Sequence, residues 1–85
     1  MSQKTILNVY PNPAKDVVNV IFNANTNTNQ ISIIDITGKE VVKQQLNLGI
    51  GLNKTTVSLN NLNAGVYFLS IISENKIETQ KLIIQ

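Results

Sequence analysis

Five carboxylates are the residues of this sequence that could do acid–base or metal chemistry. Because the chain has no histidine and no cysteine, it cannot assemble the usual nucleophile–base pairs or zinc sites. Two carboxylates can act as a glycosidase pair, but a core this small leaves no cleft for a sugar chain. We therefore expect no enzymatic activity and no cofactor. The five are Asp16, Asp35, Glu40, Glu74 and Glu78.

Asp35 has the most informative surroundings of the five, since it ends an apolar run and precedes the tetrapeptide TGKE. The first interpretation is a turn carboxylate that accepts backbone amides around Gly38. The alternative is a calcium ligand, but the D-x-D-x-D-G spacing of calcium-binding loops is absent. The sequence favours a structural role for Asp35 in a tight turn.

Two short motifs are also found in the second half of the chain. GIGLNKT, at 49–55, is superficially similar to a phosphate-binding loop, but it lacks the G-x-x-x-x-G-K-[ST] order and no helical pattern follows it. We interpret it as a loop between strands. NKT, at 53–55, matches an N-glycosylation sequon, and such a match arises easily in an asparagine-rich chain.

The charge of the chain is a net +2, carried by lysines scattered from Lys4 to Lys81 with no arginine. Because nucleic-acid surfaces need basic clusters and guanidinium contacts, we expect no nucleic-acid partner. No apolar run approaches the roughly 18 residues of a membrane span. The start of the chain, MSQKT, lacks the apolar segment of a signal peptide. An export address would therefore lie elsewhere in a longer chain, or in the fold itself.

The elements that must position these residues are short β-strands in a single domain. Turn signals recur about every 8 to 12 residues, a spacing typical of an all-β sandwich or barrel. We predict an all-β fold, an immunoglobulin-like antiparallel β-sandwich of about seven strands and no helix, with a small barrel as the alternative. Loops are expected at 23–29, which is rich in asparagine and threonine, and at 47–53, with a second asparagine-rich corner at 60–65. The predicted strands are 6–10, 16–22, 30–36, 40–46, 54–59, 66–72 and 76–85.

Alternation along the strands predicts which side chains form the core. Val18, Val20 and Phe22 share one face of the second strand, and Tyr67, Leu69 and Ile71 share one face of the sixth. The third strand is β-branched on both faces, so it should be central in its sheet. Val57 and Leu59 should face inward, with Leu62 as a plug under the following corner. Phe68 falls on the face opposite to Tyr67.

The stretch YPNP, at 10–13, cannot lie in the middle of a sheet. Pro11 and Pro13 have no amide hydrogen to donate, and each pushes the residue before it into extended geometry. The stretch should end the first strand at an edge and carry the chain over to the second strand.

Four stretches, taken in order, resemble the C-terminal sorting domain, type A, of the type IX secretion system. They are VYPNPAKDVVNV, ISIIDITGKEV, GLNKTTVSLNNLNAGVYFLSI and the final KLIIQ. The specific part is the combination of YPNP, D-x-x-G-K-E-V, L-x-x-G-V-Y and a terminal K-L-I segment. The resemblance covers residues 6–85 and leaves 1–5 as a linker.

This resemblance implies a non-catalytic domain at the extreme C-terminus of a large secreted cargo protein of a Gram-negative bacterium. The cargo reaches the periplasm through its own N-terminal signal, and the folded domain directs it through the outer-membrane translocon to the cell surface or the extracellular space. A surface sortase and attachment complex then removes the domain and can join the cargo to lipopolysaccharide. The cleavage site would lie in Met1–Thr5 or in the cargo.

The resemblance also implies which positions the partner proteins recognise. Many members of the family end in lysine, whereas this chain ends in Ile84 and Gln85, so a positive charge near the end rests on Lys81. An edge-to-edge homodimer is a further interaction that the apolar terminal strands allow. The recognition positions are Pro11, Asn12, Pro13, Asp35, Gly38, Gly65, Tyr67, Lys81, Leu82 and Ile83.

Two other functions compete with a sorting signal. One is a carbohydrate-binding or adhesive accessory module, which needs an exposed aromatic platform, and only Phe68 and Tyr10 could supply it. The other is a structural spacer similar to a fibronectin repeat, which would tolerate being moved away from the end of a protein.

Overall fold

The structure is a computed structural model that describes residues 5–24, 28–47, 49–74 and 76–85, with Thr28 described by its backbone alone. Within these ranges it contains seven antiparallel β-strands and no helix. They are β1 (Ile6–Tyr10), β2 (Val17–Ala24), β3 (Thr28–Asp35), β4 (Glu40–Asn47), β5 (Gly51–Ser58), β6 (Gly65–Ser73) and β7 (Lys76–Ile84). The predicted all-β antiparallel sandwich is confirmed.

The strands form two sheets, a three-stranded sheet in the order β1-β2-β5 and a four-stranded sheet in the order β4-β3-β6-β7. β3 is central in its sheet, as its β-branched residues on both faces predict. The order differs from that of an immunoglobulin constant domain, because β4 pairs with β3 and not with β5. β1 is an edge strand, so the prolines that follow it lie at an edge as predicted.

The loops predicted at 23–29 and 47–53 are both shorter than predicted, because the strands on either side continue to pair. β2 extends to Ala24, which pairs with Gly51 at the start of β5, and the buried Asn29 already belongs to β3. The Asn53 side chain donates to the carbonyls of Gly49 and Gly51 at 2.7 and 3.1 Å, which stabilises the turn before β5. Residues 25–27 and 48 of these predicted loops lie outside the described residues.

The core lies between the sheets and is built from the inward faces that alternation predicted. Val18, Val20 and Phe22 are fully buried, and the inward side chains of β6 are buried as well. Leu62 is partly buried against the core, as the prediction of a plug requires. The buried cluster contains Ile6, Val9, Ala14, Val18, Val20, Phe22, Ala24, Ile31, Ile33, Leu46, Val57, Leu59, Tyr67, Leu69, Ile71, Leu82 and Ile84.

One residue of the predicted linker is attached more closely than a linker residue would be. Thr5, which the sequence assigned to a linker at 1–5, is buried, and its carbonyl accepts a hydrogen bond from the Asn23 amide at 2.8 Å. Residues 1–4 of that predicted linker lie outside the described residues.

Candidate recognition surface at one end of the sandwich

Sheet register brings the separate motif segments together at one end of the four-stranded sheet. Asp35 on β3 pairs with Tyr67 on β6, and Tyr67 pairs in turn with Leu82 on β7. One row across three strands therefore contains a residue from each of three segments that are far apart in the sequence. Gly65, at the start of β6, pairs with Ile84 two positions along the same ladder.

The turn after β3 is organised by the Asp35 carboxylate, as predicted. Its Oδ1 accepts hydrogen bonds from the amides of Thr37 and Lys39 at 2.9 and 3.1 Å, and from the Thr37 hydroxyl at 2.6 Å. Gly38 follows with a φ of 89°, a left-handed conformation that favours glycine, and its amide donates to the Asp35 carbonyl at 3.0 Å.

The pKa of Asp35 is lowered from its ordinary value of 3.8 by these contacts. The hydrogen bond from the Thr37 hydroxyl lowers this pKa the most, whereas partial desolvation raises it. The backbone amides of Lys39 and Thr37 and the positive charge of Lys39 lower the pKa further. The carboxylate is thus stabilised in its charged form by its own turn. Its Oδ1 is engaged three times within the turn, which gives Asp35 a structural role there.

Tyr67 fixes the corner before β6 at the same end of the sheet. Its ring is buried in the core, and its hydroxyl donates to the Asn63 carbonyl at 2.7 Å. A tyrosine that bonds the backbone a few residues upstream is also found at the corresponding corner of immunoglobulin domains. A Cβ at Gly65 would meet only the Tyr67 ring, at 3.9 Å, so space alone does not require glycine there.

The Pro-Asn-Pro corner covers the outer edge of β7. The Asn12 side chain donates to the Lys81 carbonyl at 3.0 Å and accepts from the Ile83 amide at 3.0 Å, so its carboxamide replaces a strand's peptide group. Ala14 continues the pairing, since its amide donates to the Ile83 carbonyl and its carbonyl accepts from the Gln85 amide, both at 2.8 Å. The exposed Pro11 and Pro13, each after a cis peptide bond, flank the asparagine.

The solvent face above this row is apolar for a sheet surface. Val66 pairs with Ile83, and both are more than a third exposed, at 37% and 38%. The half-buried Phe68 pairs with the exposed Lys81 beside them. We call these four residues the β6–β7 patch. An antiparallel sheet with one solvated face usually exposes polar side chains on that face, and the β6–β7 patch differs from this pattern.

The family of the chain follows from its match to a family model. A model described as the secretion system C-terminal sorting domain matches residues 8–85, nearly the whole chain. The chain belongs to the type IX secretion C-terminal sorting domain family. It is therefore a sorting signal that acts with the secretion machinery on a linked cargo and directs export to the cell surface or beyond. A comparison with curated proteins gives no match.

The ten recognition positions predicted for this sorting domain fall into one neighbourhood. Asn12, Lys81 and Ile83 are in direct contact through the corner, while Asp35, Tyr67 and Leu82 share a row. The remaining four flank them, as Pro11, Pro13, Gly38 and Gly65. Leu82 and Tyr67 are buried, so they support the surface and do not form it.

The two aromatic residues that a carbohydrate platform would need lie on different sheets. Phe68 is on the outer face of the four-stranded sheet, whereas Tyr10 pairs with Asn19 on the three-stranded sheet. Lys54 lies over the Tyr10 ring, 5.8 Å from its centre. One flat sugar-binding platform therefore cannot include both rings.

Two structural residues of the sorting domain had no signal in the sequence. Ala14 is a small residue between the corner and β2, and only the structure shows that it pairs with β7. Glu78 is one of the five carboxylates, and the two backbone amides that it accepts lie more than 70 positions earlier in the chain. Contacts at that separation leave no local pattern to read.

The described part of the chain lacks three features. No pocket was found in it, and no three potential ligand residues lie together as a metal site would require. None of its elements is a helix of the length and apolarity that crossing a membrane takes.

Proposed function

We propose that the sorting signal is read as a folded surface, and that this surface is the β6–β7 patch with the Pro-Asn-Pro corner beside it. The observation that carries the proposal is the pair of hydrogen bonds by which Asn12 donates to the Lys81 carbonyl and accepts from the Ile83 amide. They join the first motif segment to the last, so the presentation of the terminal residues depends on the whole fold.

The composition of the patch supports docking of a protein partner. Exposed aliphatic side chains on a sheet face lose contact with water when a partner covers them, and exposed apolar patches mark such sites. Lys81 adds a single positive charge to the patch. Such a charge would fix the alignment of the partner more than it would strengthen binding. The proposed role is non-catalytic, since it uses the shape and charge that the surface offers to a partner.

The route of the cargo follows from the family. In this proposal the cargo crosses into the periplasm with its own signal, and the β6–β7 patch then docks on the outer-membrane translocon. A surface sortase and attachment complex removes the domain on the cargo side of Thr5, and the cargo is anchored to lipopolysaccharide or released.

The experiment is export of a reporter cargo that carries a secretory signal and this domain at its end, in a host with a type IX system. The test variant is Lys81→Glu with Ile83→Asn, which changes two outward side chains of β7. The matched control is Lys54→Glu with Leu52→Asn, which changes an exposed lysine and an exposed aliphatic residue at the same spacing on β5, in the other sheet.

We expect the β7 variant to accumulate in the periplasm and the β5 variant to reach the surface like the unchanged domain. Circular dichroism of both purified domains establishes that each is folded. Normal export of a folded β7 variant would overturn the proposal, and so would equal retention of both variants.

A further inference from the structure

Glu78 joins the last strand to the point where the chain enters the domain. Its Oε2 accepts the Thr5 amide at 2.6 Å and its Oε1 accepts the Ile6 amide at 2.9 Å. Both oxygens of one carboxylate are thus engaged by two successive backbone amides. The two amides are 73 and 72 residues away from Glu78 in the sequence.

The entry point is held tightly on its other sides as well. Thr5 and Ile6 are 6% and 1% exposed, and the Thr5 carbonyl accepts the Asn23 amide of β2. The entry segment, Thr5 and Ile6, is therefore held between β2 on one side and the Glu78 carboxylate on the other. A carboxylate that accepts backbone amides makes stronger hydrogen bonds than a neutral acceptor does.

The charge state of Glu78 is set by the same contacts. Desolvation at its position raises its pKa, but the hydrogen bonds from Ile6, Thr5 and Lys76 outweigh this and bring it below the ordinary 4.5. The charged side chain that the described structure places beside it is Lys76, with Nζ 3.3 Å from Oε2. The groups that face it from the entry segment are the two amides and the Thr5 hydroxyl.

We propose that Glu78 is a positioning residue that locks the cargo junction to the strand that carries Lys81 and Ile83. This inference rests on the proposed function, in which the cargo joins the domain on the N-terminal side of Thr5. Because the corner after β1 is also bound at β7 through Asn12 and Ala14, the last strand is attached to the segments on both ends of β1. The domain therefore presents its junction and its recognition strand to the secretion machinery in one fixed relation.

The lock should open when Glu78 is protonated. A protonated carboxyl keeps one good acceptor oxygen, so one of the two amides loses its partner. Since the folded-state pKa is lowered, the contribution is complete above about pH 4.5 and is lost as the pH falls through the lower folded-state value.

The test is hydrogen exchange of the Thr5 and Ile6 amides in the 85-residue chain, followed by NMR as protection factors. Glu78→Gln is nearly isosteric, but its amide group presents a donor to one backbone N–H. We expect it to lower the protection of at least one of these amides about tenfold or more, because hydrogen bonds to charged groups are the stronger class. Glu74→Gln, in the exposed turn before β7, is the matched control and should leave both within about twofold.

The pH arm separates positioning from general stability. In the unchanged domain the protection of Ile6, relative to that of Val20 in the middle of β2, should fall below pH 4.5, and in Glu78→Gln this pH dependence should disappear. Unchanged protection in Glu78→Gln, or the same pH dependence in both proteins, would overturn the lock. The export experiment with the Lys81→Glu and Ile83→Asn variant tests the patch alone, so the two proposals can fail separately.

Discussion

The side-chain carboxamide of Asn12 lies against the backbone of Ile83 and accepts its amide hydrogen at 3.0 Å, 71 residues along the chain. The same carboxamide donates to the Lys81 carbonyl, so one side chain satisfies two polar groups on the edge of the last strand. An open strand edge is a template for wrong pairing. The corner between β1 and β2 thus closes part of the β7 edge and sets how the terminal residues are displayed.

Asn12→Ala should destabilise the domain by about 1–2 kcal/mol, because it removes two hydrogen bonds of roughly 0.5–1.5 kcal/mol each. Urea unfolding measures this difference. Asn12→Asp keeps the acceptor for Ile83 but not the donor for Lys81, so it should fall between. Asn8→Ala, at an exposed position of β1, should stay within about 0.5 kcal/mol. Equal effects at positions 8 and 12 would contradict the role given to the corner.

Tyr67→Phe should cost about 0.5–1.5 kcal/mol, since it removes the hydroxyl that bonds Asn63 and leaves the buried ring in place. Tyr10→Phe is the control, because the described contact of Tyr10 with Lys54 is made by its ring. It should change the free energy of unfolding by less than about 0.5 kcal/mol. If the two variants unfold at the same urea concentration, the Tyr67 hydroxyl does not hold the corner.

Ala14→Leu should destabilise the domain by about 1–3 kcal/mol, because Ala14 is 1% exposed and its backbone is bonded to β7 on both sides. A larger side chain there must displace either the corner or the last strand. Ala64→Leu, at an exposed corner position, is the matched control and should be close to neutral. Urea unfolding of both variants measures this difference, and a neutral Ala14→Leu would count against this packing.

Thr37→Val should raise the pKa of Asp35 toward 3.8, because the Thr37 hydroxyl is the largest cause of its lowering. Carbon NMR of the carboxyl group during an acid titration measures it directly. Thr56→Val, whose hydroxyl bonds Asn19 in the other sheet, should leave the Asp35 pKa unchanged. In the unchanged domain, the stability that Asp35 contributes should be complete above pH 3.8 and be lost as the pH falls through its lower folded value.

Local features of this fold could be read from its sequence. The Asp35 turn was predictable because its contacts reach only two and four residues ahead. The buried faces of β2 and β6 were predictable because successive side chains of a strand point to opposite faces, and the apolar ones face the core. The central place of β3 followed in the same way from β-branched residues on both of its faces.

Long-range contacts could not be read from it. The pairing of Ala24 with Gly51, which lengthens two strands into predicted loops, depends on neighbours distant in sequence. The same holds for Asn12 at the β7 edge and for Glu78 at the chain entry, where an ordinary turn residue and an ordinary strand residue acquire partners about 70 positions away. Resemblance to the family named Asn12 as a recognition position but gave no contact for it.

Photo-crosslinking during export tests the central claim most directly, namely that a partner in the outer membrane covers the outer face of β6 and β7. A photoreactive amino acid replaces Ile83 in one reporter cargo and Leu52 in another, both exposed and each on the outer face of a different sheet. We predict a crosslink to a translocon protein from position 83 and none from position 52. Equal crosslinking from both positions, or crosslinking from position 52 alone, would contradict the account.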